Sequence, residues 1–429
     1  MKIKTKKRTY DEVIRLPHAR HLPPLRPSIL FRTLMRLLSQ VDLHSAGFTY
    51  TLDPQVDLDG GPYLILMNHS SFIDLEIVSA ILYPRPYGIV CTSDGFIGKS
   101  WLMRRLGCIP TEKFVTDLTL IRDIRYMLTE KKTDVLMYPE ASYSFDGCCT
   151  PLPRKLGGLF KILNVPVLMI RTEGAFTRDP LYNGLQKRKV KVSAHVSLLF
   201  SREEIARLPV EEMDARLDGA FRFDGFRWQK ENGVRVSEPF RADGLDRLLY
   251  KCAACGCEGK MKGKGTALTC GACGKVYEMD ELGELHAQTG RTEFPHIPDW
   301  YRWERDCVRQ ELASGDYRLE TGVRIGMMVD RKAIYLVGEG VLRHDRNGFV
   351  LDGCGGKLHY EQKPLASYGL YADYYWYELG DMICIGKRDC LYYCFPETDG
   401  VVAKTRLAAE ELFRLCREEK HRQTVAKPV

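Results

Sequence analysis

The residues best placed to do chemistry are Asn68-His69 and, five positions beyond the histidine, Asp74. The apolar run Tyr63–Met67 ahead of them has no polar face and predicts a short buried strand. Ser70 and Ser71 then offer an N-cap to a helix over 71–82. His69 would thus emerge at the C-terminal end of a strand, where α/β sheets bind their ligands. Asp74, in the first helical turn, can fold back onto the imidazole. A histidine held by an aspartate is a general base that needs no protein nucleophile. The plainer alternative is a helix cap beside an acid favoured by the helix dipole.

The second constellation is Cys252-Ala253-Ala254-Cys255, fourteen residues, then Cys270-Gly271-Ala272-Cys273. Each CxxC presents two thiolates from a tight knuckle, and two knuckles complete a tetrahedral zinc site. Four cysteine ligands leave no open position, so the zinc would be structural; iron is the alternative metal. Cys257 and His286 are spare ligands. Such ribbons bind nucleic acid or protein, and Lys260, Lys262 and Lys264 are either contacts for a partner or solvated lysines.

Three further segments follow the histidine in order: Gly107-Cys108-Ile109-Pro110-Thr111-Glu112-Lys113, Tyr138-Pro139-Glu140-Ala141-Ser142-Tyr143-Ser144, and Val165-Pro166-Val167-Leu168-Met169-Ile170. With Asn68-His69-x4-Asp74 this series resembles the four motifs of the glycerolipid acyltransferases, the family that contains 1-acyl-sn-glycerol-3-phosphate acyltransferase. The resemblance covers a little under half of the chain. It implies transfer of an acyl group from a thioester, acyl-CoA or acyl-carrier protein, to a hydroxyl of a lysolipid in phospholipid synthesis. The acceptor would be lysophosphatidate or another lysophospholipid. By the same resemblance His69 and Asp74 are catalytic, and Asn68, Lys113, Glu140 and Ser142 bind substrate. Lys113 stands where the family usually has Arg, giving a point charge in place of a bidentate fork. Ala141 replaces a glycine, and Tyr143 replaces the arginine that would pair with a phosphomonoester. The competing reading is a catalytically weak binding or scaffold protein built on the zinc ribbon.

Around these residues the chain divides by pattern. Residues 1–45 form a basic arm and an amphipathic helix, with ten Lys/Arg against Asp11, Glu12 and Asp42. That segment accounts for the formal net charge of +7. Over residues 29–41 the apolar face (Leu30, Phe31, Leu34, Leu37, Leu38, Val41) is flanked by Arg32 and Arg36. It is either an ordinary core-packing helix or an interfacial helix on an anionic membrane. Residues 46–247 alternate strands (63–67, 87–92, 134–138, 166–171, 190–199) with helices (71–82, 98–106, 116–130, 154–163, 202–217). This predicts an α/β domain with a mostly parallel sheet. Residues 248–287 form the ribbon, and 288–315 a linker and a helix. Residues 316–429 are β-rich and closed by a helix, with one strand expected at Trp376–Glu378. The β-rich pattern is that of a small sandwich or barrel, for docking to membrane or protein or for packing alone.

Composition bounds the rest. At 45% apolar and 28% charged the chain is globular. Fifteen cysteines and an N-terminus with no apolar h-region indicate reduced thiols in a cytoplasmic protein. No apolar run is long enough to span a bilayer. The expected location is peripheral, at the inner face of the cell membrane. Beyond residue 45 the charges nearly cancel, and the basic arm carries only Tyr10 as an aromatic, so no nucleic-acid partner is expected.

Overall fold

The computed structural model describes residues 2–115, 117–184 and 186–425. Its first sheet has seven strands in the spatial order Thr49–Leu52, Ser193–Phe200, Val167–Glu173, Leu64–Met67, Asp134–Met137, Tyr87–Thr92, Cys108–Thr111. All neighbours run parallel except Val167–Glu173 with Ser193–Phe200. Leu64–Met67 lies near the centre, and all four of its residues are buried. Each such side chain contributes about 1.5–3 kcal/mol on leaving water, which explains why the segment carries no polar face. Because Leu64–Met67 and Asp134–Met137 are adjacent and parallel, Asn68-His69 and Tyr138–Glu140 leave the sheet at the same rim.

The sequence pattern missed the edge strands Thr49–Leu52 and Cys108–Thr111, which are short and only partly apolar. The helix expected over 202–217 is two helices, Arg202–Arg207 and Val210–Ala220, because Pro209 breaks the first.

Of its two expected arrangements, the helix Ile29–Ser45 does not take the one that packs the apolar stripe into a core. Its buried residues are Ser39 and Leu43, and Asp42 is gripped by Arg178 and Lys187, each at 2.6 Å. The apolar stripe faces outward, with Leu30 and Leu38 each 70% exposed and Val41 79% exposed. Phe31 meets the exposed ring of Trp101 edge-on at 5.9 Å. The basic arm ahead of this helix lies on the protein body. Thr5–Lys7 pairs in parallel with Ile334–Leu336, and the capped helix Tyr10–Ile14 buries Val13 completely. Among the described residues no helix is long and apolar enough to cross a membrane.

Residues 261–287 form a four-stranded antiparallel meander around Leu268, Tyr277 and Leu285, all fully buried. The helix Ile297–Ser314 closes it, with Trp300 edge-on to Tyr277 at 4.9 Å.

The β-rich part is one sheet in place of the two of a sandwich, and its path is Leu358–Gln362, Gly348–Gly353, Ile334–Asp345, Leu319–Met328, Cys390–Pro396, Met382–Lys387, Tyr371–Asp373. It curls until Gly386 N–H donates to Gln362 Oε1 (3.0 Å) and Tyr360 meets Tyr392 at 5.0 Å. Trp376–Glu378, expected as a strand, is a tight turn with Tyr377 and Glu378 at φ 46° and 66°. The strand lies just before it, at Tyr371–Asp373. The closing helix Val401–Val425 buries Ala403, Leu407, Ala408 and Leu412.

Candidate functional site

The parallel sheet sets His69 at its rim, and Asp74 comes from the helix Ile73–Leu82. His69 Nδ1 lies 3.0 Å from Asp74 Oδ2. The same oxygen accepts the N–H groups of Ser70 (2.8 Å) and Ser71 (3.1 Å). The serines therefore do not cap the helix with their side chains, as expected from sequence; Asp74 gathers their backbone donors. Three donors on one buried carboxylate oxygen favour its ionised form, and burial opposes this, pushing Asp74 up to about 7. With Asp74 ionised, Nδ1 carries the imidazole proton and Nε2 is left as an acceptor. Burial first, and then the charge on Lys113, holds the His69 pKa well below the usual histidine value. A neutral imidazole with a free acceptor nitrogen is the form a general base needs at neutral pH.

The ring is held on both faces. Tyr138 stacks on it at 4.1 Å between centroids and Tyr143 at 4.0 Å. Phe72, more than half exposed, meets Tyr143 at 5.4 Å and extends this aromatic row to the surface. Tyr143, which stands where the resemblance expects an arginine, thus packs against the histidine.

Glu140 and Asn68, expected on the substrate, hold the rim together. Glu140 Oε2 accepts the His69 N–H (2.8 Å) and Oε1 the Thr150 N–H (2.9 Å), with the side chain buried. Asn68 Oδ1 accepts the Thr172 N–H (2.8 Å), and its amide nitrogen donates to Ser70 Oγ and Thr172 O. Both side chains tie one strand end to a neighbouring loop, and their polar atoms are already engaged. Ser142 Oγ accepts from Arg406 Nη2 (3.1 Å), a residue of the C-terminal helix that no motif points to. Its only sequence signal is a basic residue within an apolar helical stripe. Lys113 differs from these three, because among the described residues its ammonium has no hydrogen-bond acceptor and sits 4.1 Å from the Tyr371 ring centroid.

Ala141 shows how tight this loop is: its φ is 56°, in the left-handed region. A β-carbon costs about 1–2 kcal/mol there, partly offset in glycine by its larger loss of freedom on folding. Ala141→Gly should therefore raise stability by at most about 1 kcal/mol. A thermal melt checks this; a fall in Tm would show that the loop is not strained.

The second site is the cysteine quartet. Cys252, Cys255, Cys270 and Cys273 bring their Sγ atoms within 4.8 Å of one another. Cys252 to Cys273 and Cys255 to Cys270 are each 3.8 Å apart. A tetrahedron with metal–sulfur bonds of about 2.3 Å has edges of about 3.8 Å, so the four thiols fit a bound metal ion. The two knuckles repeat one design. Gly256 N–H donates to Cys252 O and Gly274 N–H to Cys270 O, each glycine having φ near 73°. Cys257 lies outside the quartet, and His286 pairs with Asp280 at 2.9 Å.

The crystal structure of a 1-acyl-sn-glycerophosphate acyltransferase from Thermotoga maritima aligns with 14% sequence identity, covering 44% of this chain and 78% of that one, with a TM-score of 0.32. Residues 49–170 match the family model described as Acyltransferase. The stretch that holds His69, Asp74, Lys113 and Glu140 is therefore an acyltransferase-family domain.

Proposed function

We propose that this protein is a peripheral membrane acyltransferase that moves an acyl group from a thioester, acyl-CoA or acyl-carrier protein, to a hydroxyl of a lysophospholipid. The carrying observation is His69 Nδ1 fixed by Asp74 at 3.0 Å, within a segment that matches the acyltransferase family. His69 Nε2 takes the proton of the acceptor hydroxyl as its oxygen attacks the acyl carbonyl. The tetrahedral adduct collapses, the C–S bond breaks, and the imidazolium returns the proton to the thiolate. Asp74 stabilises the transient cation. Glu140 and Asn68 act as positioning residues, and Lys113 meets the acceptor phosphate.

The exposed apolar stripe of Ile29–Ser45 supports a lipid surface as the working environment. Its length and outward face suit shallow insertion, and Arg32 and Arg36 beside it suit anionic lipid. Leu37→Glu with Leu38→Glu should release the protein from anionic vesicles in a flotation assay, and unchanged flotation would remove the helix from this role. Point changes are the cleaner test, because deleting residues 1–45 would also strip Thr5–Lys7 from the C-terminal sheet. For the quartet we propose structural zinc.

The reaction is tested by thiol release from acyl-CoA, and in a second arm from acyl-carrier protein, offered with lysophospholipids in vesicles. Release that needs both donor and acceptor is the expected result. No release in either arm would overturn the proposal.

A further inference from the structure

The C-terminal module brings two charged groups to the rim that carries His69. Tyr371, on the strand Tyr371–Asp373, donates to Asp94 Oδ2 at 2.7 Å and underlies the Lys113 ammonium. Arg406, on the helix Val401–Val425, reaches Ser142 and lies 4.0 Å from the ring centroid of Phe145, which itself packs on Tyr374 at 4.6 Å. Arg406 is only 4% exposed, yet its Nη1 has no partner among the described residues. Asp373 Oδ1 accepts the N–H of the adjacent Tyr374, and Oδ2 accepts no hydrogen bond among the described residues. Lys113 feels Asp373 and Asp94 as attractive charges and Arg406 as a repulsive one, and its contact with the Tyr371 ring sets it beside the strand that carries Asp373. Tyr143 and Tyr377 are close enough to feel Asp373 as well. The turn that presents Tyr377 holds Tyr375, Tyr377 and Glu378 at positive φ, a strain that persists only where the surroundings fix it.

Among the described residues two cations with unfilled donors face two carboxylates, Asp373 and the Asp94 engaged by Tyr371, while Arg406 Nε is paired with Glu410 of its own helix at 3.2 Å. A phosphomonoester carries about −1.5 to −2 charges and would meet the Asp373 carboxylate as a like charge. A phosphodiester carries one negative charge, and an ammonium beyond it would satisfy the carboxylate. Aromatic rings beside that carboxylate suit an ammonium too.

We propose that the C-terminal module completes the acceptor site and selects a lysophospholipid whose phosphate is esterified to an amino alcohol. The phosphate sits between Lys113 and Arg406 Nη1, and the ammonium sits at Asp373, flanked by Tyr143 and Tyr377. This rests on the acyl-transfer reading above and adds to it the head-group class and three residues outside the matched segment, Asp373, Tyr377 and Arg406.

The test measures kcat/KM for lysophosphatidylethanolamine and lysophosphatidate in the same vesicles. The wild type should favour the first by at least tenfold. Asp373→Asn should lower kcat/KM for lysophosphatidylethanolamine at least tenfold, mainly through KM, and raise it for lysophosphatidate. A wild type that prefers lysophosphatidate overturns the head-group assignment, whether or not the variant folds. An unchanged preference in a folded Asp373→Asn, judged by its thermal melt, also overturns it. Release with lysophosphatidate alone would leave acyl transfer standing and remove only this inference, whereas silence with both acceptors and both donors removes both.

Discussion

His69→Ala is expected to lower kcat by about 10²–10⁴-fold, the range carried by a general base in proton transfer. Sequence alone would leave stability untouched by this change, because His69 reads as a loop residue. The structure predicts otherwise. The ring fills the space between Tyr138 and Tyr143, so its removal should cost about 1–3 kcal/mol, as cavity-forming changes do. His69→Gln refills part of the slot and separates the two effects: kcat should fall as far while the melt recovers. Asp74→Asn makes a finer cut. All three donors meet at Oδ2, and buried Oδ1 has no partner among the described residues. The amide oxygen should therefore take the Oδ2 position and keep Nδ1–H as donor, removing only the charge. A loss of about 10–10²-fold is expected, smaller than for His69→Ala. Full activity in His69→Ala would end the mechanism. Equal losses in both variants would show that the amide has turned its NH₂ toward the imidazole.

Removing the metal from the cysteine quartet is expected to cause the largest loss of stability. Small sites that fold only with zinc draw on the order of 10 kcal/mol from it. Here Leu268, Tyr277 and Trp300 form a core beside the knuckles, so part of the ribbon should survive. A strong chelator should lower the Tm, Cys270→Ser should reproduce the effect, and elemental analysis should find one zinc per chain. A metal-free preparation that melts at the same temperature would refute the site. Activity should fall along with stability, because Trp300 lies on the helix whose Arg305 binds Glu410 and Glu411 of the C-terminal helix, the one that bears Arg406.

How much of this was legible in the sequence depends on how local each signal is. His69 and Asp74 were readable because a buried strand, a loop and a helix start follow one another within twelve residues. The cysteine quartet was readable because its ligands come in two fixed spacings. Glu140 was legible from its place in the series, while the backbone N–H groups on both of its carboxylate oxygens appear only in the fold. The helix Ile29–Ser45 gave its amphipathic period, but not which way the stripe faces, because periodicity carries no direction. Trp376–Glu378, expected as a strand, is a turn because tertiary contacts override local preference there. Arg406 offered no more than a basic residue in an apolar helical stripe and Asp373 no signal, because Ser142 and Lys113 lie more than two hundred residues earlier in the chain.

The pairing of Thr5–Lys7 with Ile334–Leu336 has a consequence for how the chain comes together. Synthesis delivers the N-terminal strand first, yet its partner is made only after the acyltransferase segment and the cysteine ribbon have emerged. The opening residues must stay unpaired through most of translation, and the contact they finally make is slow to close because so much chain separates its ends. The catalytic segment is thus enclosed between a strand and the sheet that strand joins. Thr5–Lys7 can dock only once Ile334–Leu336 has been made, so the finished sheet joins segments from either side of the acyltransferase segment.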